Sequence, residues 1–279
     1  MKLIVDSGST RADWCIVSDT NIQTVQTRGL NPFFVTPVII EKAIRNQGLL
    51  RKHHDQFSKV YFYGAGCGSE KNDELIRYTL QKIFPNATIS VYPDLLGAAR
   101  GLFHNGEGIA CILGTGSNSG CFDGQQITHK IPSLGYILGD EGSGNHLGKK
   151  LLKSYFFHYL PGDLTQKFNE KYGAKSGGLL QKLYMAEFPN IHLSEYSHFV
   201  IEHQNHPYIK DMTSQTFEEF LQMLRSYYAP SCLEKPIRFT GSIAWFFKDI
   251  LQTKASEKDL IVDKIEQSPL KGLRDFHKT

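Results

Sequence analysis

Strand and helix patterns alternate along the first hundred residues of this 279-residue chain. Runs of aliphatic and aromatic residues predict short strands, and amphipathic segments bounded by capping residues or proline predict helices. The predicted elements are strands at 2–6 and 13–17 joined as a hairpin, a helix at 37–53, a strand at 59–63, a helix at 72–84, a strand at 88–92 and a helix from 94. This order is typical of an α/β domain.

The same kind of pattern restarts in the second part of the chain. It begins with a strand–turn–strand unit, continues through a long, mostly helical and polar-faced stretch, and returns to a strand followed by a helix. The predicted elements are a strand at 108–113, a turn at 114–120, a strand at 121–122, helices at 141–160, 163–172, 178–187, 194–203 and 208–228, a strand at 236–240 and a helix from 242 to about 251.

The restart divides the chain into two domains. At roughly 150 residues a domain, a chain of this length has room for two modest domains. We expect the first at 1–106 and the second at 107–279, both of the α/β class. The tail at 266–279 could pack back on the first domain.

Composition argues against several classes of partner. The 31 Lys and Arg exceed the 28 Asp and Glu by only 31 − 28 = 3, so charge provides no reason to expect nucleic acid or a membrane as a partner. Purely apolar runs reach five residues, as at 109–113, whereas a bilayer span requires ~20. The N-terminus lacks the apolar segment of a secretion signal, and we therefore expect a cytoplasmic protein.

A turn of small residues follows the first predicted strand. Asp6 ends that strand, and Ser7-Gly8-Ser9-Thr10 leads into the next one. Backbone amides in such a turn can surround an anion, the hydroxyls add donors, and Asp6 can hold a Mg²⁺ ion that neutralises phosphate. An ordinary hairpin turn rich in Ser and Gly is the alternative.

Sixteen of the 25 glycines lie between Gly64 and Gly148, and two of their clusters repeat this chemistry. The segment 114–118, Gly-Thr-Gly-Ser-Asn, also follows an apolar strand, and the two turns together indicate a ligand held between domains. Neither turn has the spacing of a P-loop or of a dinucleotide-binding motif. The segment 139–144 places Asp140 and a second acid among Gly and Ser. Helix capping explains one acid but not the density of Gly and Ser around it, so a functional role stays open.

Two further positions combine a strand end with a helix start. Asp94 could cap its helix, or it could take a proton from a substrate hydroxyl, because ligands of α/β folds bind at the carboxyl edge of the sheet. Late in the chain, the segment 241–244, Gly-Ser-Ile-Ala, follows a strand, and its glycine leaves room for a flat ring against the backbone.

Taken in order, these segments resemble the phosphate-1, catalytic-acid, phosphate-2 and adenosine segments of the sugar kinase, Hsp70 and actin superfamily. Within that superfamily, the pair 114–118 and 139–144 is similar to the N-acetylglucosamine kinase family and the related BadF-type ATPase family. The resemblance extends over most of the chain. It implies two ribonuclease H-like domains around an interdomain nucleotide cleft. It also implies an ATP-dependent kinase for the 6-hydroxyl of N-acetylglucosamine or a close relative, such as N-acetylmuramic acid or glucosamine.

The resemblance assigns a role to each matching residue. The nucleotide-binding set that it implies is Asp6, Ser9, Thr10, Thr115, Gly116, Ser117, Gly241, Ser242 and Ala244. The implied sugar-binding set is Asn31, Asp94, Leu134, Gly135 and Asp140. Asp6 would hold Mg²⁺ through water, and Asp94 would be the catalytic base that deprotonates the sugar hydroxyl as it attacks the γ-phosphoryl group in line. The implied cofactors are ATP and Mg²⁺, the partner is a small sugar, and a homodimer stays open.

One position departs from the family pattern. Ser133-Leu134-Gly135-Tyr136 stands where the family commonly has Gly-Trp-Gly, so we expect an altered wall in the sugar pocket and leave the amino sugar open. Two other functions are consistent with the resemblance. One is a BadF-type activator that couples ATP hydrolysis to electron transfer through an iron–sulfur cluster, and the other is a non-catalytic nucleotide sensor. The segment 139–144 has no cysteine for such a cluster, and Asp94 is present as a base. Both observations favour the kinase.

Overall fold

A computed structural model describes residues 1–18, 21–173 and 176–278 of the chain. The strands are β1 (Lys2–Ser7), β2 (Arg11–Val17), β3 (Ile22–Arg28), β4 (Lys59–Gly64), β5 (Thr88–Pro93), β6 (Gly108–Leu113), β7 (Ser117–Phe122), β8 (Ile127–Lys130), β9 (Ile237–Thr240) and β10 (Val262–Glu266). The helices are α1 (Pro37–Asn46), α2 (Gly48–Lys52), α3 (Glu70–Ile83), α4 (Asp94–Phe103), α5 (Gly135–Leu138), α6 (Gly144–Phe156), α7 (Gly162–Tyr172), α8 (Ser176–Tyr184), α9 (Pro189–Glu195), α10 (Ser197–Glu202), α11 (Pro207–Tyr227), α12 (Pro230–Leu233), α13 (Ser242–Phe246), α14 (Lys248–Ser256) and α15 (Leu270–Phe276).

The strands form two five-stranded sheets. Their orders are β3-β2-β1-β4-β5 and β10-β9-β6-β7-β8. In the first sheet β1 pairs antiparallel with β2 and parallel with β4, and β4 pairs parallel with β5. Mixed sheets combined with helices confirm the predicted α/β class.

The first compact unit comprises residues 1–110, 120–129 and 268–279. Its largest core packs apolar side chains of the sheet with those of α1 and α3. Trp14 and Phe62 are fully buried there because successive strand residues point to opposite faces and both belong to a covered face.

The carboxyl ends of three strands form one edge of this sheet. Ser7 of β1 lies beside Gly64 of β4, and Gly64 lies beside Pro93 of β5. Asp6 precedes Ser7 and Asp94 follows Pro93 directly in the chain. Both predicted acids therefore reach the edge at which α/β folds bind ligands.

The second compact unit comprises residues 111–119 and 130–267, and most of it is helical. α6 packs on α9, α10 and α11, and α11 also packs on α14. The 21 residues of α11 bury one apolar stripe that includes Phe217 and Phe220. Within the described part of the chain, no helix combines the length and the apolar character that crossing a membrane would require.

Three strands were not predicted from the sequence: β3, β8 and β10. β3 has the sequence Ile-Gln-Thr-Val-Gln-Thr-Arg, and Val25 is its one buried residue. It forms because β2 offers a hydrogen-bonding edge, and every residue of β2 pairs with one of β3. Tertiary pairing thus makes a strand from a segment whose own sequence lacks a clear apolar alternation.

Some predicted boundaries were wrong. β7 begins at Ser117, so the turn predicted at 114–120 is confined to the three residues before that strand. The helix predicted at 37–53 is interrupted at Gln47, which is extended and whose side chain accepts hydrogen bonds from the first amides of α2. The helix predicted at 141–160 begins only at α6, because Ser143 caps it by accepting from the His146 amide.

The end of the chain packs on the first unit. α15 lies against α4, and Gly272 and Gly101 bring the two backbones together at a point where neither has room for a Cβ atom. Beyond α15, the His277 ring stacks on Tyr61 with centroids 3.7 Å apart, and its Nε2 lies 2.8 Å from the Tyr63 hydroxyl.

Acid is expected to weaken this attachment through His277. Burial, together with the charges of Arg100 and Lys2, lowers the pKa of His277 to about 4 from an ordinary 6.5. Arg100 donates to the Tyr63 hydroxyl at 3.1 Å, which leaves the hydroxyl proton for His277. The Nε2 atom of His277 can accept that proton only when the imidazole is neutral. Because folding favours the neutral ring, the stability that it contributes is complete above pH 6.5 and is lost as the pH falls toward 4.

Urea unfolding at pH 7.5 and pH 5 would measure this effect. The wild type is expected to lose on the order of 1 kcal/mol more than His277→Gln does between the two pH values. Identical losses in the two proteins would contradict the assignment.

Candidate functional site

The turn between β1 and β2 is held by the loop that follows β3. The Gly8 amide donates to the Arg11 carbonyl at 2.9 Å, and the Gly29 amide donates to the Thr10 carbonyl at 2.9 Å. A Cβ atom on Gly29 would collide with the carbonyl oxygens of Gly8 and Ser9, so only glycine permits this approach. Ser9 is half-buried and Thr10 is exposed at the tip of the turn.

Asn31 connects the same loop to the turn. The side chain is buried, its Nδ2 donates to Ser9 Oγ at 3.1 Å, and its Oδ1 accepts from the Phe33 amide at 3.0 Å. Nearby, Ser7 Oγ accepts from the Leu30 amide at 3.0 Å. The structure thus joins a residue from the predicted sugar-binding set to one from the predicted nucleotide-binding set.

Asp6 lies in an environment that disfavours its negative charge. It pairs directly with Asp13 in the β1–β2 register. Burial, followed by the charges of Asp13 and Asp94, raises the pKa of Asp6 from 3.8 to about 7, although Arg11 and a hydrogen bond with the Ser268 side chain oppose the shift. A bound cation would reverse this balance, because a positive charge favours the ionised carboxylate.

This raised pKa predicts a pH-dependent loss of stability that Asp6→Asn should remove. In EDTA, the free energy of unfolding of the wild type is expected to fall as the pH rises from about 4 to 7, by up to about 1.4 kcal/mol per pH unit, because folding favours the protonated acid. The Asn variant should lack this slope in urea titrations. At pH 7.5, Mg²⁺ should restore stability to the wild type and leave the variant unchanged. Equal slopes in the two proteins would contradict the assignment.

Asp94 begins α4 and lies near the glycine-rich loop after β4. Its Oδ1 accepts from the Leu95 amide at 2.7 Å, so the carboxylate does contribute to the helix start. Its charge also acts on two neighbours: it contributes to the raised pKa of Asp6, and with burial and Asp73 it raises the pKa of Cys67 to about 12. This side chain therefore accepts a hydrogen bond at the start of α4 and also acts on Asp6.

In the second unit, the turn after β6 is bound to the start of α6. The Gly114 amide donates to the Gly116 carbonyl at 3.0 Å and closes the turn. The amides of Gly144 and Asn145 donate to the carbonyls of Gly114 and Thr115, at 2.8 and 3.0 Å. These bonds use the turn's carbonyl groups and fix its path.

Asp140 completes this cluster. Its backbone adopts a left-handed φ of 64°, its Oδ1 accepts from the Ser117 amide at 3.2 Å, and its Oδ2 accepts from Asn145 Nδ2 at 2.8 Å. A Cβ atom on Gly116 would lie 2.8 Å from Asp140 Oδ1, too close for any other residue without movement. The structure therefore brings Gly116, Ser117 and Asp140 together.

Gly241 lies directly on the same turn. It has a φ of 112°, and a Cβ atom there would collide with the Leu113 carbonyl and lie 3.1 Å from the Gly114 nitrogen. Ser242 begins α13 next to it, whereas Ala244 is fully buried. The predicted adenosine and phosphate-2 segments are thus adjacent through their backbones, and Ala244 lies behind that surface.

A small pocket of about 80 Å³ opens beside this cluster, with room for a few water molecules. Its lining residues are Ser117, Asn118, Ser119, Ile131, Pro132, Ser133, Leu134, Gly139, Asp140, Glu141, Phe220 and Met223. Leu134 is 59% exposed at its rim, and Gly135 begins α5 with a φ of 69°. A larger groove of about 600 Å³ in the first unit, between β3 and the first two helices, is lined by none of the predicted site residues.

Three residues of these clusters were not predicted from the sequence: Asp13, Asn145 and Ser268. The hairpin register would have placed Asp13 opposite Asp6, since the predicted strands already pointed to that pairing. Asn145 lies five residues after Asp140, where a helix start brings side chains back toward the preceding turn. No local signal connects Ser268 to Asp6, because they lie 262 positions apart in the chain.

No protein-family model and no curated protein sequence matches this chain. A solved structure named putative N-acetylglucosamine kinase, from Porphyromonas gingivalis, is 37% identical, covers 99% of this chain and 98% of its own, and superposes with a TM-score of 0.91. The chain belongs to the N-acetylglucosamine kinase and BadF-type ATPase family. This family lies in the sugar kinase, Hsp70 and actin superfamily, as the resemblance of the motifs predicted.

Two more distant structures share the fold of this family. A putative N-acetylglucosamine kinase from Chromobacterium violaceum is 15% identical with a TM-score of 0.72, and covers 99% of this chain and 98% of its own. The activator of the 2-hydroxyisocaproyl-CoA dehydratase from Clostridium difficile, solved with bound ADPNP, is 13% identical with a TM-score of 0.50, and covers 99% and 94%. At these identities the likeness concerns the fold alone.

Membership of the superfamily implies ATP with a divalent metal ion, and the residues of this family member fit both groups. Gly116 and Gly241 leave backbone surfaces without side chains, as close approach of a nucleotide requires. Asp6 and its acidic neighbours form a site whose charge repulsion a cation would relieve. No group of three or more His, Cys, Asp or Glu among the described residues has metal-site geometry. Mg²⁺ ordinarily relies on one or two carboxylates, water and substrate phosphates rather than on a protein cage.

Proposed function

We propose that this protein is an ATP-dependent amino-sugar kinase that phosphorylates the 6-hydroxyl of N-acetylglucosamine or a close relative. The observation that carries the proposal is the full-length likeness to the Porphyromonas gingivalis protein that is named putative N-acetylglucosamine kinase. The two small-residue turns and the acids at the sheet edge support it chemically. The protein is proposed to act in the cytoplasm as an enzyme of amino-sugar metabolism.

The nucleotide would be held by backbone and hydroxyl groups of the two small-residue turns. In the first unit, Ser9 and Thr10 would donate to phosphate oxygens from the turn that Gly29 and Asn31 support. In the second unit, the 115–117 turn would supply further donors. Gly241 and Ser242 would provide the adenine surface, and Ala244 would support it from behind.

Asp94 would act as the base. Its carboxylate would accept the proton of the sugar 6-hydroxyl while that oxygen attacks the γ-phosphoryl group in line, which requires correct positioning more than covalent chemistry. Asp6 would hold Mg²⁺ through water. When bound, this ion would neutralise charge that develops on the phosphate oxygens.

The sugar would contact two groups of residues, those around the small pocket and those of the loop that follows β3. Asp140 and Gly135 would lie against it with Leu134 as an aliphatic wall, and Asn31 would bind a hydroxyl together with Asp94. An aliphatic wall offers no aromatic surface on which a sugar ring could stack. We therefore expect Leu134 to affect which amino sugar is preferred.

A coupled assay with Mg-ATP tests this proposal directly. The panel is N-acetylglucosamine, N-acetylmuramic acid, glucosamine and glucose, and mass spectrometry of the product identifies the phosphorylated position. We expect phosphorylation of at least one amino sugar and weak turnover of glucose. ATP hydrolysis that no sugar stimulates would instead support an activator of the BadF type, and nucleotide binding without turnover would support a sensor.

A further inference from the structure

The carboxylate of Asp140 in the second unit contacts two surfaces. The proposed function assigns the nucleotide to one of them and the sugar to the other. Asp140 accepts from the Ser117 amide at the end of the turn assigned to phosphate, and the same side chain lines the pocket assigned to the sugar. A carboxylate has about four acceptor sites. The bonds from Ser117 and Asn145 use two of them, so others remain for a ligand in the pocket.

Asn145 determines where this carboxylate points. It is the second residue of α6 and is 1% exposed. Its backbone amide donates to the Thr115 carbonyl, and its side-chain Nδ2 donates to Asp140 Oδ2 at 2.8 Å. One residue therefore holds both the turn and the acid that the turn contacts.

The environment of Asn145 leaves it little freedom to move. Its buried Oδ1 has no hydrogen-bond partner among the described residues, which is costly for an amide unless another requirement keeps it in place. Asp140 itself adopts a left-handed backbone, a conformation that aspartate tolerates at a cost. Two locally unfavourable features thus coincide at one contact, as is common where function rather than stability selects a geometry.

We infer that Asn145 is a positioning residue that, through Asp140, couples binding of the nucleotide to binding of the sugar. The inference rests on the proposed function. A sugar hydroxyl that donates to Asp140 would further fix the carboxylate, and the carboxylate would then hold the Ser117 amide and the turn in a single arrangement. By thermodynamic reciprocity, nucleotide bound at the turn would favour the sugar by the same factor.

Calorimetric titration measures this coupling without turnover. The probes are ADPNP with Mg²⁺ and N-acetylglucosamine, or the panel sugar that the wild type phosphorylates fastest. In the wild type, saturating sugar is expected to tighten ADPNP binding by about 5-fold or more. In Asn145→Leu, which retains size and removes the donor, this factor should fall to near 1, while ADPNP alone binds about 10-fold more weakly.

Two further variants separate positioning from general packing. Asn190→Leu changes another buried asparagine of the second unit, whose Oδ1 likewise has no partner in the described part of the chain, and it should retain the wild-type coupling factor. The double variant Asp140→Asn with Asn145→Asp exchanges amide and carboxylate, so a donor–acceptor pair remains. It should recover part of the coupling that Asn145→Asp alone loses.

The outcomes distinguish this inference from the function on which it rests. If the wild type binds neither a sugar nor ADPNP, the proposed function fails and the inference fails with it. If the wild type binds both and Asn145→Leu retains the full coupling factor, the inference alone is overturned. Loss of coupling in Asn190→Leu to the same extent would also overturn it, since packing of the unit would then explain the effect.

Discussion

Asp94→Asn is expected to lower sugar phosphorylation by at least about 100-fold, the scale of removing a general base. Asparagine keeps an oxygen where Oδ1 accepts from the Leu95 amide, so the start of α4 should be preserved. The loss should appear in kcat, with little change in the affinity for ADPNP, because the base acts on the attacking hydroxyl. Steady-state kinetics and calorimetric titration of the same preparation measure the two quantities.

The control for this variant is Asp123→Asn. The Oδ1 atom of Asp123 accepts from the amides of Gln125 and Gln126 in an exposed turn, so this acid has a comparable structural role and no proposed catalytic one. Its turnover should equal that of the wild type. Turnover of Asp94→Asn within a few-fold of the wild type would exclude Asp94 as the base, and equal losses in both variants would indicate an effect on folding.

Gly272→Ala is expected to destabilise the first unit by about 1–3 kcal/mol, as overpacking of a close helix contact does. A Cβ atom on Gly272 would collide with the carbonyl of Gly101 in α4, and backbone atoms cannot move aside as a flexible side chain can. Part of α15 would have to separate from α4, which would also disturb Ser268 and its contact with Asp6. Urea denaturation measures the loss, and limited proteolysis detects release of the C-terminal segment.

Gly178→Ala provides a control of opposite sign. Gly178 also lies in a helix, but outside that helix no atom of the described residues lies within 4 Å of the position that its Cβ would take. Alanine there should raise stability by about 0.5–1 kcal/mol, because it restricts the unfolded chain more than glycine does. Destabilisation by both substitutions would indicate local strain rather than loss of the contact between α4 and α15, because alanine favours a helix more than glycine does.

Several parts of the fold were predictable because the signals are local. The hairpin, the strands that became β4 and β5, and the start of α1 at Thr36-Pro37 depend on apolar runs and capping residues that act within a few positions. The superfamily was predictable for a related reason. Each binding turn is a short run of Gly, Ser and Thr whose chemistry can be recognised without knowledge of its surroundings.

Other parts depend on residues that are remote in the chain. β3 is a strand because β2 pairs with it, and Asn145 belongs to the site because α6 returns to the turn after β6. Likewise, the sequence alone was consistent with Asp94 either as a helix cap or as a base. In the structure its Oδ1 accepts from the Leu95 amide at the start of α4, and its charge contributes to the raised pKa of Asp6.

Local patterns and residue types at short spacing were enough to predict the α/β class, the family and the order of the candidate binding turns. They could not show that Ser268 reaches Asp6 from the far end of the chain, or that Asp140 is shared between a turn and a pocket, because these contacts depend on the tertiary structure. The physical reason is that burial, charge repulsion and steric exclusion depend on which atoms meet in space. Those contacts are determined by how whole helices and strands pack, rather than by residues that are neighbours in the chain.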